Sequence, residues 1–215
     1  MVKQSFNTIH NNRKAFLTKN LNQDHVIIKG NNNILISAPH GVSQVRLGKY
    51  KPPEIGSIAT ALFLQNKTNC FLIAKTKNNN DDANFDDDSN YKNSIEKLIQ
   101  NHNIKYVIDI HGLAANRGFD VNLGTHLGKN IEKNEIVFEN LVNSLIQNNF
   151  VTSIDNPFMG GLKTISGSVK NKFNNIFTLQ IEINCSITNK AVNINKYNSL
   201  LNVLVDWLEQ IKKIG

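Results

Sequence analysis

The chain has 215 residues, 40% of them hydrophobic and 19% charged, with 24 Lys+Arg against 17 Asp+Glu for a formal net charge of +7. That length and balance suit one globular domain over residues 1–215 and exclude a disordered chain. No apolar stretch reaches the roughly 18–20 residues that span a bilayer, and residues 1–20 lack the apolar core of a signal peptide, so the expected setting is cytoplasmic with no membrane partner. The basic residues are scattered and are not interleaved with aromatics in a stripe. They read as a solvated Lys-rich surface, and no nucleic-acid partner is expected. Cys70 and Cys185 form no CxxC pair and read as packed thiols in strands.

In chain order, residues 26–29 and 33–39 read as two strands around a turn at Gly30-Asn31-Asn32. Ile55, Ile58, Ala59, Leu62 and Phe63 recur at helical spacing after Pro52-Pro53, which predicts a helix over 54–67. A strand follows at 70–75, then a polar loop at 78–90 containing Asp81, Asp82, Asp86, Asp87 and Asp88. That loop lacks the alternating acids and glycine of a calcium loop and reads as solvated. A helix over 91–101, a buried strand over 104–110 and a strand over 119–124 come next. The rest reads as a helix over 132–148, a short strand at 150–154, a loop at 156–161, a strand at 176–183 and a closing helix at 194–213. Alternating strands and helices predict a single α/β domain with a mixed, largely parallel central sheet flanked by helices. Ligands of such sheets sit beyond the C-terminal ends of the strands.

Two segments carry most of the functional signal. Ser37-Ala38-Pro39-His40-Gly41 and Val107-Ile108-Asp109-Ile110-His111-Gly112 are apolar runs that each end in His-Gly. A glycine there lets the backbone turn away while the histidine faces a cleft. Two such imidazoles can meet at one metal ion, and three protein ligands with an open position make a catalytic zinc site. Asp109 lies two residues before His111, on the same strand face, where it can orient the ring. Glu54 is the best third ligand. An acid that merely favours a helix N-terminus is the alternative. Glu182 stands inside the apolar run 179–184, a costly place for a carboxylate unless it is paired or functional, and there it could serve as general base. Asn184 shares its face. Arg46 and Arg117 follow the two histidines and could grip a substrate carboxylate, and Lys163 could line the cleft.

These motifs, taken in order, resemble the N-formylglutamate amidohydrolase family of zinc carboxypeptidase-like hydrolases. The resemblance rests on Ser-Ala-Pro-His-Gly at 37–41, Glu54 opening a helix, Asp-Ile-His-Gly at 109–112 and Gln-Ile-Glu-Ile-Asn at 180–184. It implies a phosphorylase/hydrolase-like fold around one Zn2+, with His40, Glu54 and His111 as ligands and Glu182 as general base. It further implies a substrate contact at Asn84, within Asp-Ala-Asn-Phe-Asp, and Arg117 facing the substrate carboxylate. The chain differs from the family at Cys185, where an arginine is common, and at Glu54, where aspartate is common. The expected partner is a small N-acyl amino acid or short peptide, with the oligomeric state left open. A zinc-dependent peptidase or cell-wall amidase with the same site, and a non-catalytic metal- or ligand-binding protein, are the alternatives.

Overall fold

The computed structural model describes residues 4–189 and 191–214. In chain order it contains α1 (Phe6–Lys19), β1 (His25–Ile28), β2 (Ile34–Ala38), β3 (Gln44–Arg46), β4 (Lys49–Lys51), α2 (Ile55–Thr68), β5 (Phe71–Lys75) and α3 (Asn90–His102). There follow β6 (Tyr106–Leu113), β7 (Val121–Gly124), α4 (Glu135–Gln147), β8 (Thr152–Ile154), α5 (Ile165–Lys172), β9 (Phe177–Asn184), the one-turn α6 (Cys185–Thr188) and α7 (Ile194–Ile214).

The central sheet has 7 strands in the order β1-β5-β2-β6-β9-β7-β8. Its middle, β5-β2-β6-β9, is parallel throughout. β1 joins β5 antiparallel, β7 joins β9 antiparallel, and β8 runs parallel to β7. The expected mixed, largely parallel α/β sheet is therefore present. The strands around the Gly30 turn do not pair with each other, because β5 inserts between them.

Strand alternation divides the core in two. Ile34, Ile36, Ile108, Ile110, Leu179 and Ile181 face one side, where residues of α2, α4 and α7 cover them. Leu35, Ile73 and Val107 face the other, packed by Tyr91, Ile95 and Leu98 of α3 and by Ile165 and Val169 of α5. On β6 the residues that share Val107's face are Asp109 and His111, since side chains repeat every second position. The register pairs Asp109 with Gln180 and His111 with Glu182. The second face thus turns from apolar to polar toward the C-terminal ends of β6 and β9.

Several elements lie outside the sequence pattern, among them α1, the β3–β4 hairpin and α5. α1 starts at Ser5, whose hydroxyl accepts from the Thr8 N–H, and few of its residues are apolar. The β3–β4 hairpin turns through Leu47 and Gly48, both at positive φ (51° and 72°). α5 has only 8 residues and starts at Thr164, whose side chain accepts from the Gly167 N–H. Cys70 is buried as expected, whereas Cys185 opens α6 and is partly exposed, not a strand thiol. No helix among the described residues is long and apolar enough to cross a membrane.

Candidate metal centre

His40 lies just beyond the end of β2, His111 on β6, and Glu54 at the N-cap of α2. Glu54 makes no capping bond with its side chain. Its carboxylate turns to the histidines instead: Oε1 lies 2.8 Å from His40 Nδ1 and Oε2 lies 3.2 Å from His111 Nδ1. Oε2 also accepts from the Gly112 N–H at 2.9 Å. The helix-terminus reading of Glu54 therefore gives way to that of a residue aimed at the two imidazoles. The helix reaches this position because the His-Gly glycines make room for it. A Cβ on Gly41 would come within 2.9 Å of Ile58 Cδ1, and one on Gly112 within 3.3 Å of Glu54 Cβ. Neither glycine adopts a positive φ. Their service is close approach of α2, not the turning of the backbone expected from sequence.

Each imidazole is held from behind by a buried carboxylate. His40 Nε2 lies 2.9 Å from Asp82 Oδ1, and His111 Nε2 lies 2.9 Å from Asp109 Oδ2. An ionised carboxylate only accepts, so both Nε2 atoms carry hydrogen, and in the neutral rings both Nδ1 lone pairs are bare. The two Nδ1 atoms face each other at 3.2 Å, with the Glu54 oxygens beside them. Three acceptors converging on one point repel one another unless a cation lies between them. Ligands about 2.0–2.1 Å from a tetrahedral zinc stand roughly 3.3 Å apart. The separations of 2.8–3.2 Å come close to this, and the donor atoms of His40, Glu54 and His111 all fall within 4.8 Å of one another. The residues present fit a divalent metal.

The local charges agree. Burial alone would lower the pKa of His40 and His111, but Glu54 with Asp82, and Asp109 with Glu54, raise both. Burial would raise Glu54, yet the two imidazoles hold it well below the usual carboxylate range. A field that favours protons on two adjacent rings also favours a divalent cation in their place. Glu182 differs: burial pushes its carboxyl up to about 7, against the imidazoles of His111 and His40 and with Glu54 adding to the rise. It sits beside His111 on the neighbouring strand, and Gln180 Nε2 donates to its Oε1 at 2.8 Å.

The other expected residues take varied places. Arg46 Nε donates to Asp82 Oδ2 at 2.7 Å, and its guanidinium carbon lies 4.9 Å from the Phe85 ring centre. Lys163 Nζ lies 4.7 Å from the same ring centre and 3.6 Å from Asp87. Asn84 accepts the Ile165 N–H at 2.8 Å, which ties the 82–86 segment to the start of α5. Asn184 donates to the carbonyls of Arg117 and Phe119, at 3.3 and 2.9 Å, and accepts from Ser186 N–H at 2.9 Å. It fixes the loop that carries Arg117, whose guanidinium is exposed near Phe158. Asp82 departs from the solvated acidic loop read from sequence: it is 0% exposed and backs the His40 ring. The run of acids at 81–88 carries no sign in the sequence of which one turns inward. Gln180 was likewise visible only as part of its motif.

The chain matches no protein-family model and none of the curated proteins. Among solved structures it is similar to N-formylglutamate amidohydrolase from Ralstonia eutropha JMP134, with a TM-score of 0.68, 11% identity, and coverage of 89% of this chain and 99% of that one. This chain has the N-formylglutamate amidohydrolase fold. It is also similar to a bacteriophage poly-gamma-glutamate hydrolase (TM-score 0.57, 10% identity, 89% of this chain and 91% of that one). A metallo-carboxypeptidase from Burkholderia cenocepacia aligns at a TM-score of 0.52 and 9% identity, over 93% of this chain and 69% of that one. At such identities the N-formylglutamate amidohydrolase likeness is one of fold, and the chemistry rests on the residues described above.

Proposed function

We propose that this chain is a zinc-dependent amidohydrolase that cleaves the amide of a small N-acyl amino acid of the N-formylglutamate kind. The observation that carries this is the convergence of His40 Nδ1, His111 Nδ1 and a Glu54 carboxylate beside a buried glutamate. Two imidazoles and one glutamate are a ligand set that hydrolytic zinc takes. Zinc bound there would polarise the amide carbonyl and make a water acidic enough to attack at neutral pH.

The chain's own residues then have separate tasks. His40, Glu54 and His111 hold the ion, and Asp82 and Asp109 keep the rings turned with Nδ1 inward. Glu182, its pKa raised to about 7, accepts the proton of the attacking water and returns it to the leaving nitrogen. Arg117 binds the substrate carboxylate, with Arg46 and Lys163 adding positive charge around Phe85. Asn84 and Asn184 shape the walls through their bonds to α5 and to the 117–119 loop.

The test is a screen of N-formyl, N-acetyl and longer N-acyl amino acids with the zinc-loaded protein. Turnover of at least one is expected, and Glu182→Gln is expected to lower it about 10²–10⁴-fold while leaving zinc bound. Full activity in E182Q would remove Glu182 from the mechanism. Zinc retention without turnover of any amide would favour a binding protein.

A further inference from the structure

We propose that Arg46 is a positioning residue for the metal centre, acting on His40 through Asp82. This rests on the metal reading above. Asp82 is wholly buried, and its two oxygens are divided between different tasks. Oδ1 faces His40 Nε2 at 2.9 Å and accepts the Asn84 N–H at 3.1 Å, while Oδ2 accepts from Arg46 Nε at 2.7 Å. A neutral, metal-ligating imidazole offers this carboxylate no full charge, so the guanidinium is its ion-pair partner. The pair also fixes direction. With Oδ2 held by Arg46, the carboxylate plane keeps Oδ1 on the ring nitrogen, which sets the ring's rotation and aims Nδ1 at Glu54 and His111.

The hairpin that carries Arg46 is tied to the same segment a second time, through the Val45 N–H to the Asp81 carbonyl at 3.0 Å. Backbone and side chain together clamp residues 81–82. Among the described residues the second histidine has no such device: the Asp109 oxygen that does not face His111 is buried there without a hydrogen-bond partner. The β3–β4 hairpin therefore belongs to the metal site although it supplies no ligand.

Charge alone makes the opposite prediction, which gives the test its sign. Removing a nearby positive charge lessens repulsion of a divalent cation and tightens its binding. Loss of a positioning residue loosens it. Zinc affinity is measured by competition with a chromophoric chelator for wild type, Arg46→Met, Arg46→Lys, Asp82→Asn, the R46M/D82N double variant and Lys49→Met. Lys49 pairs with Arg46 in the hairpin register and controls for charge and for disturbance of the hairpin. R46M is expected to weaken zinc about tenfold, R46K to recover part of the loss, and K49M to match wild type. The double variant is expected to bind no more weakly than D82N alone, because Arg46 acts through Asp82. If R46M does not fold, R46K against K49M carries the same comparison. Unchanged or tighter zinc in the Arg46 variants, or additive losses in the double variant, would overturn the proposal alone. A wild type that holds no zinc would overturn it together with the metal reading.

Discussion

At the residue scale, the site is built from pairs in which one side chain fixes another. Glu54 carries the sharpest consequence, because its carboxylate faces both rings and the Gly112 N–H. Glu54→Gln keeps the shape but removes the charge, and it is expected to weaken zinc about 10–100-fold in a chelator competition. Gly112→Ala puts a methyl 3.3 Å from Glu54 Cβ and is expected to weaken zinc less, with a stability loss of about 1 kcal/mol by urea unfolding. The candidate ligands stand out in the sequence because His-Gly ends two apolar runs and an acid opens the helix between them. Asp82 was not legible. Its burial depends on a hairpin and a loop meeting in space, and five aspartates within eight positions look alike in sequence.

At the element scale, α2 is the pivot. It lies against both His-Gly segments and delivers Glu54 from its N-cap. The regular helices are visible from their period and the central strands as continuous apolar runs, since Ile34, Ile36, Val107 and Leu179 belong to strands buried on both faces. α1, the hairpin and α5 were not, because each has too few apolar positions to set a period, and each is held by local hydrogen bonds. The polar loop before α3 owes its placement to ions as well. Lys75, at the end of β5, is buried between Asp24 and Asp81, the latter at 2.6 Å. Burial would raise the Asp24 carboxyl, but Lys75 and His25 outweigh it and hold its pKa below the usual value. A folded-state pKa below the unfolded one contributes stability above the unfolded value near about 4, and that stability is lost as pH falls. Asp24→Asn is expected to lower stability by about 1 kcal/mol at neutral pH. It is also expected to lose less than wild type between about pH 6 and about pH 3 in urea denaturation. Parallel losses in the two proteins would remove Asp24 from the acid response.

At the scale of the whole molecule, the parallel centre of the sheet brings the ends of β2, β6 and β9 to one place, which is why residues 40, 111 and 182 converge from distant parts of the chain. The fold class followed from the alternation of strands and helices. The strand order did not, because period says which face is buried and nothing of which strand lies beside which. That β5 separates β1 from β2 is a matter of which strands pair within the sheet. The central claim is that this convergence holds a metal. Elemental analysis of the purified protein, beside His40→Ala and His111→Ala, tests it most directly. About one zinc per chain, lost in both variants while they remain folded by circular dichroism, is the result expected of a catalytic site with three protein ligands. No metal in the wild type after zinc loading, or metal unaffected by either substitution, would contradict it.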